Sequence, residues 1–321
     1  MNRVIVTGGS GFIGTNLIEL LIQNNYEVIN LDVNKPKNPN QLYLWMKQNV
    51  SNFYELKNVF NNFKPNYVIH LASRTDLRGD NVNSYDDNIV GTQNIVDIST
   101  NIHSINRVVF ASSMLINELG TTSKNDHDYS ATTFYGISKA AAEKIVRDSN
   151  KFNKSWVIVR PTSIWGPWFG EPYIHFFERV LNERYIRFIP RDRLKTFGYV
   201  GNTVEQILNL MTLDDSLVNG KTFYLGDTPP LNIDLWSEKI AKEGGVGLPK
   251  RLPLFPFYFF ALIGDFVTRL KISFPMTSFR LKNMITNNII DLNPINRIVP
   301  VSKFSIDDGI KETIKWMRRN A

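Results

Sequence analysis

The chain contains no cysteine in its 321 residues. Disulfides, thiolate nucleophiles and cysteine-ligated metals are therefore excluded, and the composition suits a reducing cytosol, so we expect a cytoplasmic protein. Histidine is also scarce. The four His residues, at 70, 103, 127 and 175, show no metal-ligand spacing, and no metal is expected. The Gly-x-Ser-x-Gly elbow of a serine hydrolase is missing as well.

Long apolar runs are rare. The run at residues 252–263 contains Pro253 and Pro256 and is shorter than the roughly 20 residues that a membrane span needs. We interpret it as a buried or docking helix, with a peripheral membrane contact as the alternative, and we expect no stable membrane insertion. The net charge of +7 would attract a phosphate-bearing substrate. No Lys/Arg stripe with interleaved aromatics indicates a nucleic-acid partner.

The first half of the chain alternates short β-branched runs with helical patterns, which is typical of a parallel sheet with helices on both faces. Predicted strands cover residues 3–7, 27–31, 67–71, 107–111 and 156–159, and predicted helices cover 12–24, 52–62, 86–100 and 135–149. This alternation predicts a Rossmann-type, doubly wound α/β fold. We expect a cofactor domain at 1–165 and a smaller α/β substrate lobe at 166–321, with some segments of the lobe returning to the first domain.

A glycine-rich loop follows the first predicted strand, in the segment Thr7-Gly-Gly-Ser-Gly-Phe-Ile-Gly14. Glycine lets the backbone approach a pyrophosphate closely, and the N-terminus of the following helix supplies N–H donors. The glycines at 8, 11 and 14 are spaced by three and three, whereas the standard dinucleotide fingerprint has two and three. The strand–loop–helix context nevertheless predicts a dinucleotide site.

The type of dinucleotide is indicated by Asp32, at the end of the second strand. A carboxylate there can hold the ribose hydroxyls of NAD and repel the 2′-phosphate of NADP. Lys35 and Lys37 lie close by in the sequence and could tolerate a phosphate. NAD is therefore the predicted cofactor, and NADP is the less favoured alternative.

A second motif is Tyr135-Gly-Ile-Ser-Lys139. Residues four apart share one face of a helix, so the Tyr hydroxyl and the Lys ammonium can approach one cofactor together. A nearby ammonium favours the phenolate form of tyrosine. Alone this pattern arises by chance in many helices, but beside a dinucleotide loop it indicates a tyrosine that exchanges a proton while a hydride moves to a nicotinamide.

Taken together, these motifs resemble the extended short-chain dehydrogenase/reductase family, and within it the nucleotide-sugar epimerases and dehydratases. The resemblance covers most of the chain. It extends to His70-Leu-Ala-Ser73, Asn88-Ile-Val-Gly-Thr-Gln-Asn94, Phe110-Ala-Ser-Ser113, Arg160-Pro161, Trp165-Gly-Pro167 and Phe197-Gly-Tyr-Val200.

The resemblance implies roles for particular residues. Tyr135 would be the acid/base at the reacting oxygen, Lys139 would hold the nicotinamide ribose and lower the pKa of Tyr135, and Ser113 would hydrogen-bond the reacting oxygen. The expected cofactor contacts are Gly8, Gly11, Phe12, Ile13, Gly14, Asp32, Asn49, Val50, Leu71, Ala72, Ser73, Asn88, Tyr135, Lys139 and Pro161. The expected substrate contacts are Arg74, Ser113, Ser163, Lys195 and Arg280.

Some of these positions admit another interpretation or depart from the family pattern. Lys195 and Arg280 could equally form surface ion pairs, and the charged loop from Arg74 to Gly79 either contacts the sugar or forms a salt-bridged turn. Asn49 stands where the family usually has an Asp that meets adenine, a task that an amide can also perform. Met114-Leu115 replaces the Asp-Glu pair of the 4,6-dehydratases, so dehydration is not expected.

The sequence thus predicts an NAD-dependent enzyme that oxidises a nucleotide-linked sugar, with C4 as the expected carbon and epimerisation slightly favoured. A nucleotide-sugar 4-dehydrogenase or ketoreductase would use the same three catalytic residues and is the alternative. A hydroxysteroid-type dehydrogenase and a non-catalytic NAD-binding protein are further alternatives. Relatives often pair through the helices matching 86–100 and 135–149, so we expect a homodimer.

Overall fold

A computed structural model describes residues 1–121, 125–189, 193–269, 274, 277–299 and 302–320. Its strands are β1 (Arg3–Thr7), β2 (Glu27–Asp32), β3 (Trp45–Lys47), β4 (Tyr67–His70), β5 (Arg107–Ala111), β6 (Ser155–Pro161), β7 (Ser163–Trp165), β8 (Ile186–Ile189), β9 (Leu194–Lys195), β10 (Phe197–Tyr199), β11 (Lys221–Leu225), β12 (Leu231–Asn232) and β13 (Lys250–Pro253). Its helices are α1 (Phe12–Gln23), α2 (Phe53–Phe63), α3 (Asp86–Thr100), α4 (Phe134–Asp148), α5 (Tyr173–Leu181), α6 (Val200–Thr212), α7 (Asp215–Val218), α8 (Ile233–Gly244), α9 (Phe255–Arg269), α10 (Ser278–Ile285), α11 (Asn293–Asn296) and α12 (Ile306–Arg319).

The central sheet contains seven strands in the order β3-β2-β1-β4-β5-β6-β11, and every neighbouring pair is parallel. Helices cover both faces, which confirms the predicted doubly wound α/β fold. The strand order reverses at β1, between β2 and β4. In such sheets the ligand crevice lies outside the carboxyl ends of the strands at this reversal.

Burial on both faces explains why the strands read as continuous apolar runs. In β1, Val4 and Val6 belong to one hydrophobic cluster, which includes Leu17 of α1. The intervening Ile5 belongs to the cluster on the opposite face, with Phe60 of α2. Alternate residues of a strand point to opposite faces, so one short strand contributes to two cores.

The second half of the chain contributes to the central sheet. Strand β11 pairs with β6 in the central sheet, with Leu225 opposite Pro161, and α6 packs against α1. The remaining short strands form the pairs β7–β10, β9–β12 and β8–β13. The sequence analysis did not predict β3, an edge strand of three residues with no apolar alternation.

The apolar run near residue 255 is helical, as expected, but it is not buried. Most side chains of α9 are exposed, and its inner side forms only a small cluster with Phe188 and Leu281. Among the described helices, none combines the length and the apolar character needed to cross a membrane.

Candidate active site

Three glycines shape the loop between β1 and α1. Gly8 has a φ of +72°, and a Cβ added there would lie 2.5 Å from the backbone N of Ala72. A Cβ on Gly14 would lie 2.5 Å from the Gly8 carbonyl oxygen, so the helix packs directly on the loop. At Gly11, among the described residues other than its chain neighbours, that same oxygen is the only atom within 4 Å of an added Cβ, at 3.2 Å. The outer side of the loop is therefore open, and it fits the close approach of a pyrophosphate.

The Asp32 carboxylate closes the same loop from the end of β2. It accepts hydrogen bonds from the backbone N–H groups of Ser10, at 3.1 Å, and Asn34, at 2.9 Å. Burial raises the pKa of Asp32, and these hydrogen bonds oppose the rise. The carboxylate thus stands beside the glycine loop, where it fits the ribose contact expected of it.

The segment after β4 lies against the loop from the other side of the reversal. The backbone N–H of Leu71 donates to the Thr7 carbonyl at 2.9 Å, and the Ala72 N–H approaches the Thr7 hydroxyl oxygen at 3.4 Å. Leu71, Ala72 and Ser73 are all partly exposed. The structure therefore brings the two predicted cofactor segments, far apart in sequence, to one edge of the sheet.

The other predicted cofactor residues lie around this edge. Phe12 and Ile13 form the first turn of α1, Pro161 ends β6, and Val50 is buried and accepts a hydrogen bond from the Asn94 amide through its carbonyl, at 2.9 Å. Asn49 is exposed, and its side-chain oxygen accepts from the Ser51 N–H at 2.9 Å. Its second side-chain group, the NH₂, is the one that suits an adenine nitrogen.

The three predicted catalytic residues are buried, with Ser113 after the carboxyl end of β5 and Tyr135 and Lys139 on α4. Ser113 follows β5 and caps a 3-10 turn at Met114–Ile116, with its oxygen accepting from the Leu115 N–H at 3.1 Å. Tyr135 hydrogen-bonds Ser113. Lys139 follows one turn later on α4, and Thr133 fixes the start of that helix by capping the Gly136 N–H at 3.0 Å.

Burial controls the ionisation of the Tyr–Lys pair. It raises the pKa of Tyr135 to about 12, against the opposing hydrogen bond from Ser113. It also lowers the pKa of Lys139 to about 8, while the negative charge of Glu143 acts in the opposite direction. Burial thus favours the neutral form of both side chains, and the expectation that Lys139 lowers the pKa of Tyr135 stays a prediction.

A buried ion pair between Glu143 and Arg160 lies one turn of α4 after Lys139. The Glu143 carboxylate receives two hydrogen bonds from the Arg160 guanidinium, at 2.8 and 2.9 Å. Burial acts to raise the pKa of Glu143, but the hydrogen bonds and charge of Arg160 outweigh it and lower that pKa. Sequence analysis assigned neither residue to the site, although Glu143 is four residues after Lys139 and so shares its helix face.

The charged loop after β4 is held by Tyr85, which sequence analysis also missed. The Tyr85 hydroxyl donates to the Asp76 carbonyl at 2.7 Å and accepts from the Gly79 N–H at 3.1 Å. Its ring lies 5.1 Å from the Arg74 guanidinium and 6.2 Å from the Tyr135 ring. Arg74 also forms an ion pair with Asp76 at 2.8 Å. The loop is thus a salt-bridged turn, and it is positioned beside Tyr135.

Asn88 connects this loop to helix α4. Its side-chain oxygen accepts from the Arg74 N–H at 2.7 Å, and its NH₂ donates to the Arg74 carbonyl at 3.1 Å and to the Ser138 hydroxyl at 3.0 Å. Ser138 in turn donates to the Tyr135 carbonyl at 2.7 Å. These contacts make Asn88 a brace between the loop and α4.

The predicted substrate contacts fall on several elements. Ser163 is buried at the start of β7 and hydrogen-bonds Tyr173. Lys195 ends β9, where burial lowers its pKa to about 8 and the charge of Arg193 adds to the shift. Arg280 belongs to α10, but its side chain lies outside the described part of the structure.

Comparison with known proteins gives one family match and several similar proteins of about the same length. A model of the NAD dependent epimerase/dehydratase family matches residues 4–226. The N-acetyl-alpha-D-glucosaminyl-diphospho-ditrans,octacis-undecaprenol 4-epimerase of Escherichia coli O157:H7 is 23% identical, over 98% of this chain and 95% of its own. The decarboxylating sterol-4-alpha-carboxylate 3-dehydrogenase of Saccharomyces cerevisiae is 23% identical, over 99% of this chain and 98% of its own. The solved structure of UDP-glucose 4-epimerase with UDP-glucose from Thermotoga maritima has a TM-score of 0.76 at 20% identity and covers 99% of both chains.

Proposed function

Because this chain belongs to the NAD-dependent epimerase/dehydratase family, we propose that it is a C4 epimerase of nucleotide-linked sugars. Membership confirms the family that the motifs resembled, and with it NAD as the cofactor. The observation that carries the finer proposal is the buried group of Ser113, Tyr135 and Lys139 at the sheet edge that also bears the glycine loop.

The residues at this edge have distinct tasks in binding. The backbone around Gly8 and Gly11 would hold the pyrophosphate of NAD, and Asp32 would hold a ribose. When bound, NAD supplies a nicotinamide that accepts a hydride and can return it. Leu71 and Ala72 form the floor beside the loop and exclude water from it.

Tyr135 moves the proton in this proposal. As the phenolate, Tyr135 takes the proton of the C4 hydroxyl as that carbon is oxidised to a ketone, and as the phenol it gives the proton back when the ketone is reduced. Ser113 donates a hydrogen bond to the same sugar oxygen. Burial raises the pKa of Tyr135 to about 12, which favours the phenol that donates in the second step. The first step needs the phenolate, which the positive charges of the Lys139 ammonium and of bound NAD would favour.

Epimerisation follows if C4 loses its hydrogen on one face and regains it on the other. Dehydration would require a further acid and base to remove water, and the side chains after Ser113, those of Met114 and Leu115, cannot supply them. The reaction we propose therefore consists of one oxidation and one reduction at the same carbon, with no net change in the cofactor.

The names of two similar proteins support this choice. Both the E. coli relative and the T. maritima structure are named as 4-epimerases, and both names describe a sugar joined to a diphosphate. The yeast relative is named as a sterol 3-dehydrogenase. A dehydrogenase is accordingly the second candidate, and it differs from the first in releasing NADH.

Replacing Tyr135 with Phe tests the proposed role of the hydroxyl. The Tyr135→Phe variant should lose at least about 100-fold in kcat, the lower range for removal of a general acid/base. Its affinity for NAD, measured by calorimetry, should change little. Tyr185→Phe, at a buried tyrosine packed on Phe176, is the matched control and should retain activity. Turnover of Tyr135→Phe close to the wild-type rate would refute the assignment.

A further inference from the structure

Helix α9 has an exposed apolar stripe, which we call the α9 outer face. The most exposed of its residues are Phe255 at 83%, Phe259 at 65%, and Leu262 and Phe266 at 64% each. Tyr258 and Ile263 complete it, at 49% and 38%. The spacing of these positions is that of one side of an α-helix, so they form a continuous band rather than scattered surface residues.

The opposite side of α9 already has its protein partners. Ala261 is buried with Phe188 and Leu281, and the Phe257 and Phe188 rings lie 4.5 Å apart. Asp265 also faces a protein neighbour, since it accepts from the Ser278 N–H at 2.9 Å. The helix is therefore apolar on both sides, and a helix of that kind normally has an apolar environment around it.

The charge of the surrounding sequence is strongly positive. Residues 250–285 contain a single acidic residue, Asp265, which leaves this region with a net charge of +5 out of the chain's +7. Its basic residues are Lys250, Arg251, Arg269, Lys271, Arg280 and Lys282. Of these, Lys250, Arg251 and Lys282 are exposed on the elements next to α9, and Arg251 also pairs with Glu238 at 3.3 Å. Apolar side chains flanked by Lys and Arg match the interface of an anionic bilayer.

The segment after α10 connects this region to the catalytic centre. Asn288 forms a bridge with Lys195 and accepts a hydrogen bond from the Gly120 N–H at 3.3 Å. Its NH₂ lies 3.8 Å from the sulfur of Met114, the neighbour of Ser113. The surface that carries α9 is thus part of the same lobe that borders the reacting residues.

We propose that the α9 outer face docks on an anionic lipid bilayer, lying in the interface without crossing it. Fifteen residues of helix extend roughly 22 Å, and their exposed side can lie along a membrane surface but is too short to span one. The large aromatic and aliphatic side chains enter the boundary of the acyl chains, and the neighbouring Lys and Arg side chains meet the lipid phosphates.

Vesicle flotation of the full-length protein tests this directly, with no substrate and no catalysis involved. The protein should float with vesicles of phosphatidylcholine and phosphatidylglycerol, and less with phosphatidylcholine alone. High salt should weaken the binding, because it screens attraction to the lipid phosphates. The Phe259→Ser/Phe266→Ser variant should bind at least about tenfold more weakly, because it removes two large apolar groups from the interface.

A matched variant distinguishes this surface from exposed aromatics in general. Tyr43→Ser/Tyr54→Ser changes two exposed tyrosines outside α9 and should bind vesicles like the wild type. Equal NAD-dependent thermal stabilisation of all three proteins shows that they are folded. Absence of wild-type flotation, or equal flotation of the α9 variant, would overturn the proposal. Sedimentation showing that the α9 variant converts a dimer to a monomer would also overturn it, since the face would then join two copies.

Discussion

His70, at the end of β4, shows how the structure fixes the protonation of a single residue. Its Nε2 lies 3.2 Å from the Thr92 hydroxyl, whose own proton is donated to the Asn88 carbonyl. Nε2 must therefore carry the ring proton, and Nδ1 accepts from the Thr7 hydroxyl at 2.7 Å. Burial lowers the pKa of His70 to about 3, and the positive charge of Lys139 adds to the effect.

This low pKa predicts a loss of stability in mild acid. The unfolded chain gains a proton at this residue below about pH 6.5, whereas the folded protein does so only near pH 3. Between these values the unfolded state binds more protons, so the free energy of unfolding falls as the pH falls. The free energy of unfolding of the wild type, measured with urea, should be lower at pH 5 than at pH 7, and His70 should account for about 2 kcal/mol of the difference.

The His70→Gln variant cannot take up that proton, and the pH dependence of its unfolding should be weaker by the same amount. His127→Gln, at an exposed histidine, is the matched control and should behave like the wild type. An identical pH dependence for His70→Gln and the wild type would show that His70 is already charged in the folded protein.

The proximity of Tyr135 and Lys139 could be predicted at this scale, but their ionisation could not. The two are four apart in a helical pattern, and that spacing alone places them on one face. The pKa of Tyr135 depends instead on burial of the phenol, with further effects of Ser113, which hydrogen-bonds it, and of Tyr85, whose ring lies 6.2 Å away. Those contacts join residues distant in sequence, so no local pattern indicates them.

At the scale of elements, the ion pair between Glu143 and Arg160 joins helix α4 to strand β6. Both side chains are almost fully buried, and Arg160 also donates to the Asp126 carbonyl at 2.7 Å. Since removing one member leaves a buried charge without its partner, Glu143→Gln should lower the free energy of unfolding by about 3–5 kcal/mol. Urea denaturation measures this loss.

Two further variants make the test specific. Glu143→Leu/Arg160→Met replaces the pair by apolar groups and should recover much of the loss, because the Arg160 guanidinium is no longer left buried without its carboxylate. Asp307→Asn breaks the exposed pair with Lys239 and should cost no more than about 1 kcal/mol. A Glu143→Gln variant as stable as the Asp307→Asn variant would mean that the pair does not fasten α4 to the sheet.

Whether a segment is a helix or a strand was predictable where its hydrophobic period was strong. What each apolar face packs against was harder to predict. The apolar period of Ile306, Ile310, Ile314 and Met317 predicts a helix at about 306–318, where the structure has α12, and the alternation in the first half predicts β1, β2, β4, β5 and β6. Helix α9 is the informative exception. Its composition predicted a buried or docking helix, yet the side chains exposed on α9 follow the same period as a core-facing stripe. A sequence pattern shows that a face is apolar but not what covers it.

For the whole molecule, the sheet order accounts for the position of the site. The reversal at β1 brings the glycine loop and the Leu71–Ser73 segment together, and the end of β5 places Ser113, with its hydrogen-bond partner Tyr135 of α4, at the same edge. Alternating strands and helices predict this arrangement, because such connections are right-handed and the strands are parallel. The domain boundary near residue 165 and the homodimer remain predictions. Exposed Val90 and Ile137 on α3 and α4 suit the pairing surface expected for the dimer.

The central claim is that C4 is oxidised and then reduced within one site. It is tested most directly by incubating the NAD-loaded enzyme with sugars joined to nucleotide or polyprenyl diphosphates, while product NMR and NADH absorbance are followed together. We expect a C4-inverted isomer to accumulate from one nucleotide-linked sugar, with no net formation of NADH. Stoichiometric NADH with a keto-sugar, or a dehydrated product, would contradict the account.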